Sequence, residues 1–298
     1  MPTVPILFTM NANPALSIVI VNWNTRDILA ACLRSIRVTA GDIAPEIIIV
    51  DNASTDGSPD MVSSEFPEFT VIRNEENLGF AAANNIGIPR ARGRYVMLLN
   101  SDAELTPGSA SRMIEYMERH PDVGLIGPKL VSSDGTLQIN GQKFPTLVRE
   151  ILGVLHAPRF FPGLAKLGWG REDFDANAEV DSLAGACMLA RREVVDMVGG
   201  LDERFFMYFE DVDWCRRIKK AGWRVHYLGE VQIVHGWALS AAKQGIVKSH
   251  GMLHESRHLY FRKHHGAVQG LIIRAVSGLE LAAFAFKYRN YTCADGER

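Results

Sequence analysis

Four segments in the first hundred residues are apolar without a break: "SIVIVNW" (17–23), "EIIIVDN" (46–52), "FTVIRN" (69–74) and "YVMLLN" (95–100). A strand with one wet face alternates apolar and polar positions. Runs that do not alternate predict strands covered on both faces, as in a parallel sheet. The stretches between them have a helical period. They predict helices over 26–38, where Ile28, Leu29, Leu33 and Ile36 share a side, over roughly 57–65, and over 79–92. This alternation defines an α/β fold with a doubly wound, mostly parallel central sheet and helices on both faces.

The pattern changes in the second half. Residues 140–178 mix Phe, Pro, Gly and charge with little periodicity, which predicts a mobile loop or lid rather than core. "SLAGACMLA" (182–190) predicts a strand of small residues, and "RREVVDMVGG" a helix that stops at Gly199-Gly200. Then come a loop, an amphipathic helix ending at Gly222, and a pair of strands reaching "VQIVHG". Residues 267–289 are apolar but interrupted by Arg274, Glu280 and Lys287. They predict an amphipathic helix packed on the domain, on a second subunit, or on a membrane interface.

Each of the four early strands ends in Asn or Asp: Asn22 and Asn24, Asp51 and Asn52, Asn74, then Asn100, Ser101 and Asp102. One polar strand end is normally a turn or a helix cap. Four on one edge of one sheet describe a polar crevice, in the place where ligands of open α/β sheets bind.

Composition narrows the choice of ligand. The chain has 298 residues, 47% apolar and 22% charged, and a net charge of −2. That is an ordinary globular balance with no global attraction to nucleic acid or anionic lipid, so any anion site must be local. The four cysteines are scattered without CxxC spacing and read as reduced thiols of a cytoplasmic protein. The sequons at Asn52 and Asn290 then carry no meaning, and no stretch reaches the 18 uncharged apolar residues of a spanning helix. Residues 1–15 read as a loose leader.

The first strand leads into "NWNTRD", which has no glycine-rich phosphate loop of either the dinucleotide or the P-loop kind. "DNASTDG" (51–57) lacks the glycine and glutamate positions of a calcium loop. A diphosphate bound here must be neutralised otherwise, and Mg²⁺ or Mn²⁺ on Asp102 is the natural means. His235 offers a nitrogen that Mn²⁺ accepts, against the plainer role of a structural histidine. "FEDVDW" (209–214) concentrates acid: Glu210, Asp211 and Asp213 could simply complement a helix dipole. Phe205, Phe206, Tyr208 and Phe209 precede it, and apolar rings beside a carboxylate raise its basicity, as a general base requires. His250, His254 and His258 make a helical stripe, but without Cys or Glu partners it is a poor zinc site.

Taken together, "SIVIVNWNT", "IIIVDNASTDGS", "NLGFAAANNIGI", "YVMLLNSDAEL", "VGLIGPKLV", "LAGACMLARREV", "GGLDERFFMYFEDVDWCRRIKKAGW" and "IVHGWALS" resemble the inverting, metal-dependent nucleotide-sugar glycosyltransferases of family two. Within them the chain is most similar to the rhamnosyltransferase-like branch of bacterial cell-surface polysaccharide assembly. The resemblance implies a GT-A fold over residues 16–265, with a nucleotide-binding half to about 130 and an acceptor-binding half beyond, and a helical extension over 266–298.

It also implies roles. Asp51 would meet the pyrimidine base, with Asn24 and Asn52 near it. Asn77, Gly79, Phe80 and Asn84 would contact the nucleotide and sugar. Asn100-Ser101-Asp102 stands in place of the family's Asp-X-Asp motif, with Asn for the first Asp. Asp211 would be the base, supported by Glu210, and His235 would complete a metal site with Asp102. Trp237 and Ser240 would lie in a loop closing over donor or acceptor. Arg257, Arg262 and Lys263 would lie near phosphates.

The implied substrates are a nucleoside-diphosphate sugar and a saccharide or polyprenyl-linked acceptor, met at the inner face of the cytoplasmic membrane. Two alternatives differ in sequence. A sugar-nucleotide pyrophosphorylase should begin with a glycine- and arginine-rich loop. A non-catalytic carbohydrate-binding relative should lack Asp102 or Asp211.

Overall fold

Strands β1 (Leu16–Asn22), β2 (Glu46–Asp51), β3 (Thr70–Arg73) and β4 (Tyr95–Asn100) pair in parallel, in the spatial order β3-β2-β1-β4. This is a computed structural model, and it describes residues 14–39, 43–154, 173–236 and 246–288. The sheet continues through β9 (Cys187–Arg191), β6 (Val123–Val131), β10 (Arg224–His235) and β5 (Ala103–Glu104), ten strands among the described residues with β7 (Leu137–Gln138) on β6 and β8 (Ala178–Glu179) on β10. β9 runs antiparallel to both β4 and β6, while β6 and β10 are parallel.

Alternate residues of the inner strands feed two cores. Ile18, Ile20, Ile47, Ile49, Met97 and Leu99 face one way, onto helices Arg26–Thr39, Ser58–Glu65 and Ser109–Arg119. Val19, Ile48, Val50, Val96 and Leu98 face the other, onto Phe80–Gly87, Arg192–Val198 and Glu210–Lys220. Burial on both faces is what unbroken apolar strands require, and each such side chain contributes about 1.5–3 kcal/mol.

Three expectations need correction. β3 is not covered on both faces: it is the edge strand, and its four residues are exposed or half-buried. The expected strand pair after Gly222 is one strand, β10, irregular between Leu228 and Gln232. Part of the expected lid is ordered packing: Leu147–Val154 is a helix, and Asn140 and Phe144 pack inward. Residues 155–172 of that stretch lie outside the described residues.

Helices Ile246–His265 and Ala267–Tyr288 form a hairpin turning at Gly266 (φ 88°). Tyr260, Phe261 and Ile273 pack on Phe205, with Phe209 and Val212 beside them, so the hairpin lies on the Glu210–Lys220 helix. Charge reinforces the contact. Fully buried Asp213 receives Lys263 at 2.5 Å, His264 at 2.6 Å and Arg217 at 2.8 Å. Burial opposes ionisation of Asp213, but those three donors hold its carboxyl down at about 2.

Two of the hairpin's basic residues expected near phosphates are engaged in ion pairs with the protein itself. Lys263 is taken by Asp202 and Asp213, and Arg257 by Glu150 and Glu280; Arg262 is exposed. The second helix turns Ile273, Ser277 and Glu280 inward. Its outward arc carries Val268, Leu271, Ile272 and Leu279. Among the described residues, no helix is long and apolar enough to cross a membrane.

Candidate active site

Strand register makes the polar edge. Asn22 lies opposite Asp51, and Val21 opposite Asn100, so the ends of β1, β2 and β4 finish level. Beyond them opens a cleft lined by Val21, Trp23, Asn52, Asn77, Gly79, Phe80, Asn100, Ser101, Asp102 and Met207. Seven of those ten were candidates from sequence. Trp23, Val21 and Met207 were not, although Trp23 directly follows an apolar strand, which was the signal available.

Some candidates work behind the cleft wall. Asp51 is buried: its Oδ1 accepts from Asn22 Nδ2 at 2.9 Å and its Oδ2 from the Ser54 amide at 2.9 Å. It braces the loop, and its neighbour Asn52 is the residue that lines the cleft. Asn24 (φ 54°) accepts the Thr55 N–H through Oδ1 at 2.7 Å. Asn84 donates back to the Phe80 carbonyl of its own helix at 2.9 Å.

Asn77 Oδ1 accepts the Gly79 N–H at 3.0 Å, and the Phe80 N–H donates to the Phe206 carbonyl at 2.8 Å. Gly79 must be glycine: its φ is 85°, and a Cβ there would stand 2.5 Å from the Phe206 oxygen. This contact ties the cleft to the segment that carries the acidic pair.

That segment is strained. Tyr208 and Phe209 take φ values of 71° and 65°, left-handed conformations that cost bulky residues about 1 kcal/mol or more each. They deliver Glu210 and Asp211 to the start of the Glu210–Lys220 helix, where the dipole favours acid. Asp211 Oδ2 accepts the Gly185 N–H at 2.8 Å and Oδ1 the Val212 N–H at 2.7 Å. A Cβ on Gly185 would lie 3.4 Å from the Phe80 ring and 3.6 Å from Asp211 Oδ2. Asp211 therefore stands close to the Phe80 ring, and Phe80 lines the cleft. Burial raises its proton affinity, only partly offset by those amides. Glu210 is raised well above an ordinary glutamate, by burial and then by the Asp211 charge, and its Oε2 has no hydrogen-bond partner among the described residues.

At the other end of the cleft, antiparallel pairing of β5 and β10 sets His235 opposite Ala103. The Gly236 N–H donates to the Asp102 carbonyl at 2.7 Å. His235 Nε2 then lies 3.3 Å from Asp102 Oδ1 and 3.3 Å from Asn100 Nδ2. Ser101 Oγ meets Thr25 Oγ1 at 3.1 Å. Asn100, in place of a carboxylate, is thus a neighbour of the histidine.

An Asp oxygen and an imidazole nitrogen suit Mn²⁺ or Mg²⁺. Their 3.3 Å separation is close to the roughly 3 Å edge of an octahedron with 2.0–2.1 Å bonds. No group of three or more His, Cys, Asp or Glu gathers around an ion position among the described residues. Two protein ligands leave the remaining positions to phosphate and water, the usual arrangement for Mg²⁺. Trp237 and Ser240 lie outside the described residues.

Comparison with known proteins identifies the class. The profile of glycosyl transferase family 2 matches residues 17–199, and the chain belongs to that family. Its fold is that of the GT-A glycosyltransferases. It aligns with a Pyrobaculum calidifontis mannosyltransferase solved with GDP-mannose and Mn²⁺ at a TM-score of 0.59 and 17% identity, covering 92% of this chain and 76% of that one. With Staphylococcus aureus TarS (residues 1–349) the TM-score is 0.54 at 14% identity, over 95% and 75%.

Among relatives in sequence, the chain is similar to the N-acetylglucosaminyl-diphospho-decaprenol L-rhamnosyltransferase of Mycobacterium tuberculosis. Identity is 29% over 209 residues, 66% of this chain and 68% of that protein. It is also similar to the Escherichia coli rhamnosyltransferase WbbL, 28% over 167 residues, 53% and 60%. The chain is thus a family 2 member that is similar to rhamnosyltransferases.

Proposed function

We propose that this glycosyltransferase moves L-rhamnose, with inversion, from dTDP-rhamnose to a hydroxyl of a saccharide or lipid-linked saccharide in cell-surface polysaccharide synthesis. The observation that supports the chemistry is Asp211 close to the Phe80 ring, itself part of a cleft that holds Asp102, with His235 Nε2 3.3 Å from that Asp102. The two rhamnosyltransferase relatives support the sugar, and the decaprenol-linked acceptor named for one of them supports the acceptor class.

In this reading the nucleoside diphosphate lies in the cleft, against Asn52, Asn77, Gly79 and Phe80, with Asp51 and Asn24 shaping the loop behind. Asp102 and His235 hold a divalent cation, which supplies positive charge beside the diphosphate. Asp211 accepts the proton of the acceptor hydroxyl as its oxygen bonds to the anomeric carbon. On the opposite face the bond from that carbon to the diphosphate oxygen breaks, and the pair of electrons leaves with the diphosphate. Raised proton affinity makes Asp211 a better base than an exposed Asp. Its activity therefore falls as pH drops through that raised value, at a higher pH than an exposed aspartate would give.

The outward arc of the Ala267–Tyr288 helix supports a membrane-bound acceptor. Among its described side chains, Val268, Leu271, Ile272 and Leu279 are exposed and apolar, exposed Arg274 and Arg262 of the preceding helix are basic, and Glu280 is turned inward onto Arg257. Such a face fits an anionic bilayer surface.

A thermal-shift screen of nucleotide sugars with Mn²⁺ tests the donor. Stabilisation by dTDP-rhamnose beyond that by UDP- and GDP-sugars is expected, and an equal or larger shift with another sugar nucleotide refutes the rhamnose assignment.

A further inference from the structure

We propose that Gln138 is a positioning residue that fixes the tautomer of His235, so that Nε2 rather than Nδ1 is offered to a cation shared with Asp102. The proposal rests on the metal-dependent reading above. Gln138 lies on β7, opposite Leu130 of β6, and is 6% exposed. It does not line the cleft.

Its amide Nε2 donates to the His235 carbonyl at 2.8 Å and to Ser132 Oγ at 2.8 Å. A backbone carbonyl only accepts, so this end of the amide must be the NH₂. The other end, Oε1, is then the atom 2.7 Å from His235 Nδ1. An oxygen acceptor requires the proton on Nδ1. The neutral ring consequently carries its lone pair on Nε2, and Asn100 Nδ2, a donor 3.3 Å away, agrees with that assignment. Nε2 and Asp102 Oδ1, 3.3 Å apart, are then two electron-rich atoms turned toward one another, a pairing that a cation between them satisfies.

One residue thus fixes both the ring and, through the His235 carbonyl, the backbone beside Gly236, whose N–H holds Asp102. An N,O pair of this kind favours Mn²⁺ over the strictly oxygen-seeking Mg²⁺.

The test uses the full chain with dTDP present, and Mn²⁺ titrated by electron paramagnetic resonance. Gln138→Leu should weaken Mn²⁺ binding about 10- to 100-fold. Gln138→Glu keeps an acceptor for Nδ1–H but sets a carboxylate oxygen against the His235 carbonyl, so it should bind Mn²⁺ more tightly than Gln138→Leu and less tightly than the wild type. Nitrogen NMR of the metal-free protein, at a pH where the ring is neutral, should show His235 protonated on Nδ1 in the wild type. Unchanged Mn²⁺ affinity in Gln138→Leu, or an Nε2–H ring in the wild type, overturns the proposal. Should Gln138→Leu not fold, the wild-type tautomer and Gln138→Glu still decide it. A wild type with the expected tautomer that binds no Mn²⁺ defeats the metal reading and leaves the clamp standing.

Discussion

On the sheet side of the cleft, Asn22, Asp51, Asn52 and Asn100 stand at the ends of parallel strands, and short hydrogen bonds join one strand end to the next. Asn22 reaches Asp51 and Ser54, and Asn52 reaches Gly79 while accepting from Asn74. On the helix side, Asp211 rides on two left-handed aromatic residues and on a helix fastened from outside by Lys263 and His264. The first side is rigid because the sheet is rigid. The second is placed against local strain by contacts from the C-terminal hairpin. A nucleotide can be bound by a fixed wall, whereas a base must be aimed, and the two sides differ accordingly. Changes on the helix side should therefore damage turnover or stability while nucleotide binding persists.

The sharpest way to break that contrast is Asp211→Asn. The amide cannot take the acceptor proton, so kcat should fall about 10³-fold. Nucleotide affinity, measured by calorimetry, should stay within about twofold, because the cleft-lining residues are untouched. Full turnover would remove Asp211 from the mechanism, and lost nucleotide binding would show that the two sides are not separable.

Next comes the fastening. Lys263→Met leaves buried Asp213 with Arg217 and His264 only, and losing one hydrogen bond to a charged group costs about 1.5–3 kcal/mol. Thermal unfolding should drop accordingly, with activity lost before the sheet core melts. The pH sign follows from Asp213. Its carboxyl is held down at about 2 in the folded protein, against about 4 in an unfolded chain. The stability it contributes is present above about 4 and is lost as pH falls from there toward 2. A wild type and a Lys263→Met variant with identical acid unfolding would show that the cluster does not hold the helix.

This asymmetry also explains how much the sequence discloses. The sheet side was readable because its signals are local: an unbroken apolar run, then Asn or Asp, repeated four times in the first hundred residues. The edge position of β3 was not readable, since Val71 and Ile72 look like any buried strand. Nor was the bracing role of Asp51, because one of the groups satisfying it, Asn22, comes from the end of the neighbouring strand, 29 residues away. On the helix side "FEDVDW" announced acid beside aromatics. The division of labour within it came from distant chain: Gly185 on Asp211, and Lys263 with His264 on Asp213. Lys263 read as a phosphate ligand for the same reason, since a basic residue on a helix does not reveal its partner. Gln138 had no signal at all. It lies on a two-residue strand, and it matters only because β10 returns beside it.

The hairpin's outer face sharpens the comparison on a smaller scale. Leu271→Glu with Leu279→Glu changes only exposed side chains, so transfer to a soluble acceptor should be unaffected. Flotation with phosphatidylglycerol vesicles should fall about tenfold, as apolar insertion is replaced by like-charge repulsion. Equal flotation of both proteins, or a wild type that floats on neither charged nor neutral vesicles, would rule out a bilayer on this face. A dimer that the double variant dissociates would assign the face to a second copy.

The smallest effect expected is a gain. Glu210 is buried, its Oε2 lacks a partner among the described residues, and burial followed by the Asp211 charge raises its proton affinity well above the usual value. A carboxyl whose folded pKa is raised binds more protons in the native state than in the unfolded one. The sign is therefore opposite to that of Asp213: stability is fully present below the unfolded value, about 4.3, and declines as pH rises toward the folded one. Glu210→Gln removes the charge and keeps the shape. It should raise thermal stability by about 1 kcal/mol, some 2–4 °C, at pH 8. The gain should vanish near pH 4, where wild-type Glu210 is itself protonated. It should leave the acid limb of the rate profile in place, because the proton affinity of Asp211 is raised by burial and not by Glu210. A variant destabilised at pH 8 would mean that Glu210 is an anchored structural anion. The raised, unpartnered carboxyl beside the base would then have nothing to do with aiming it.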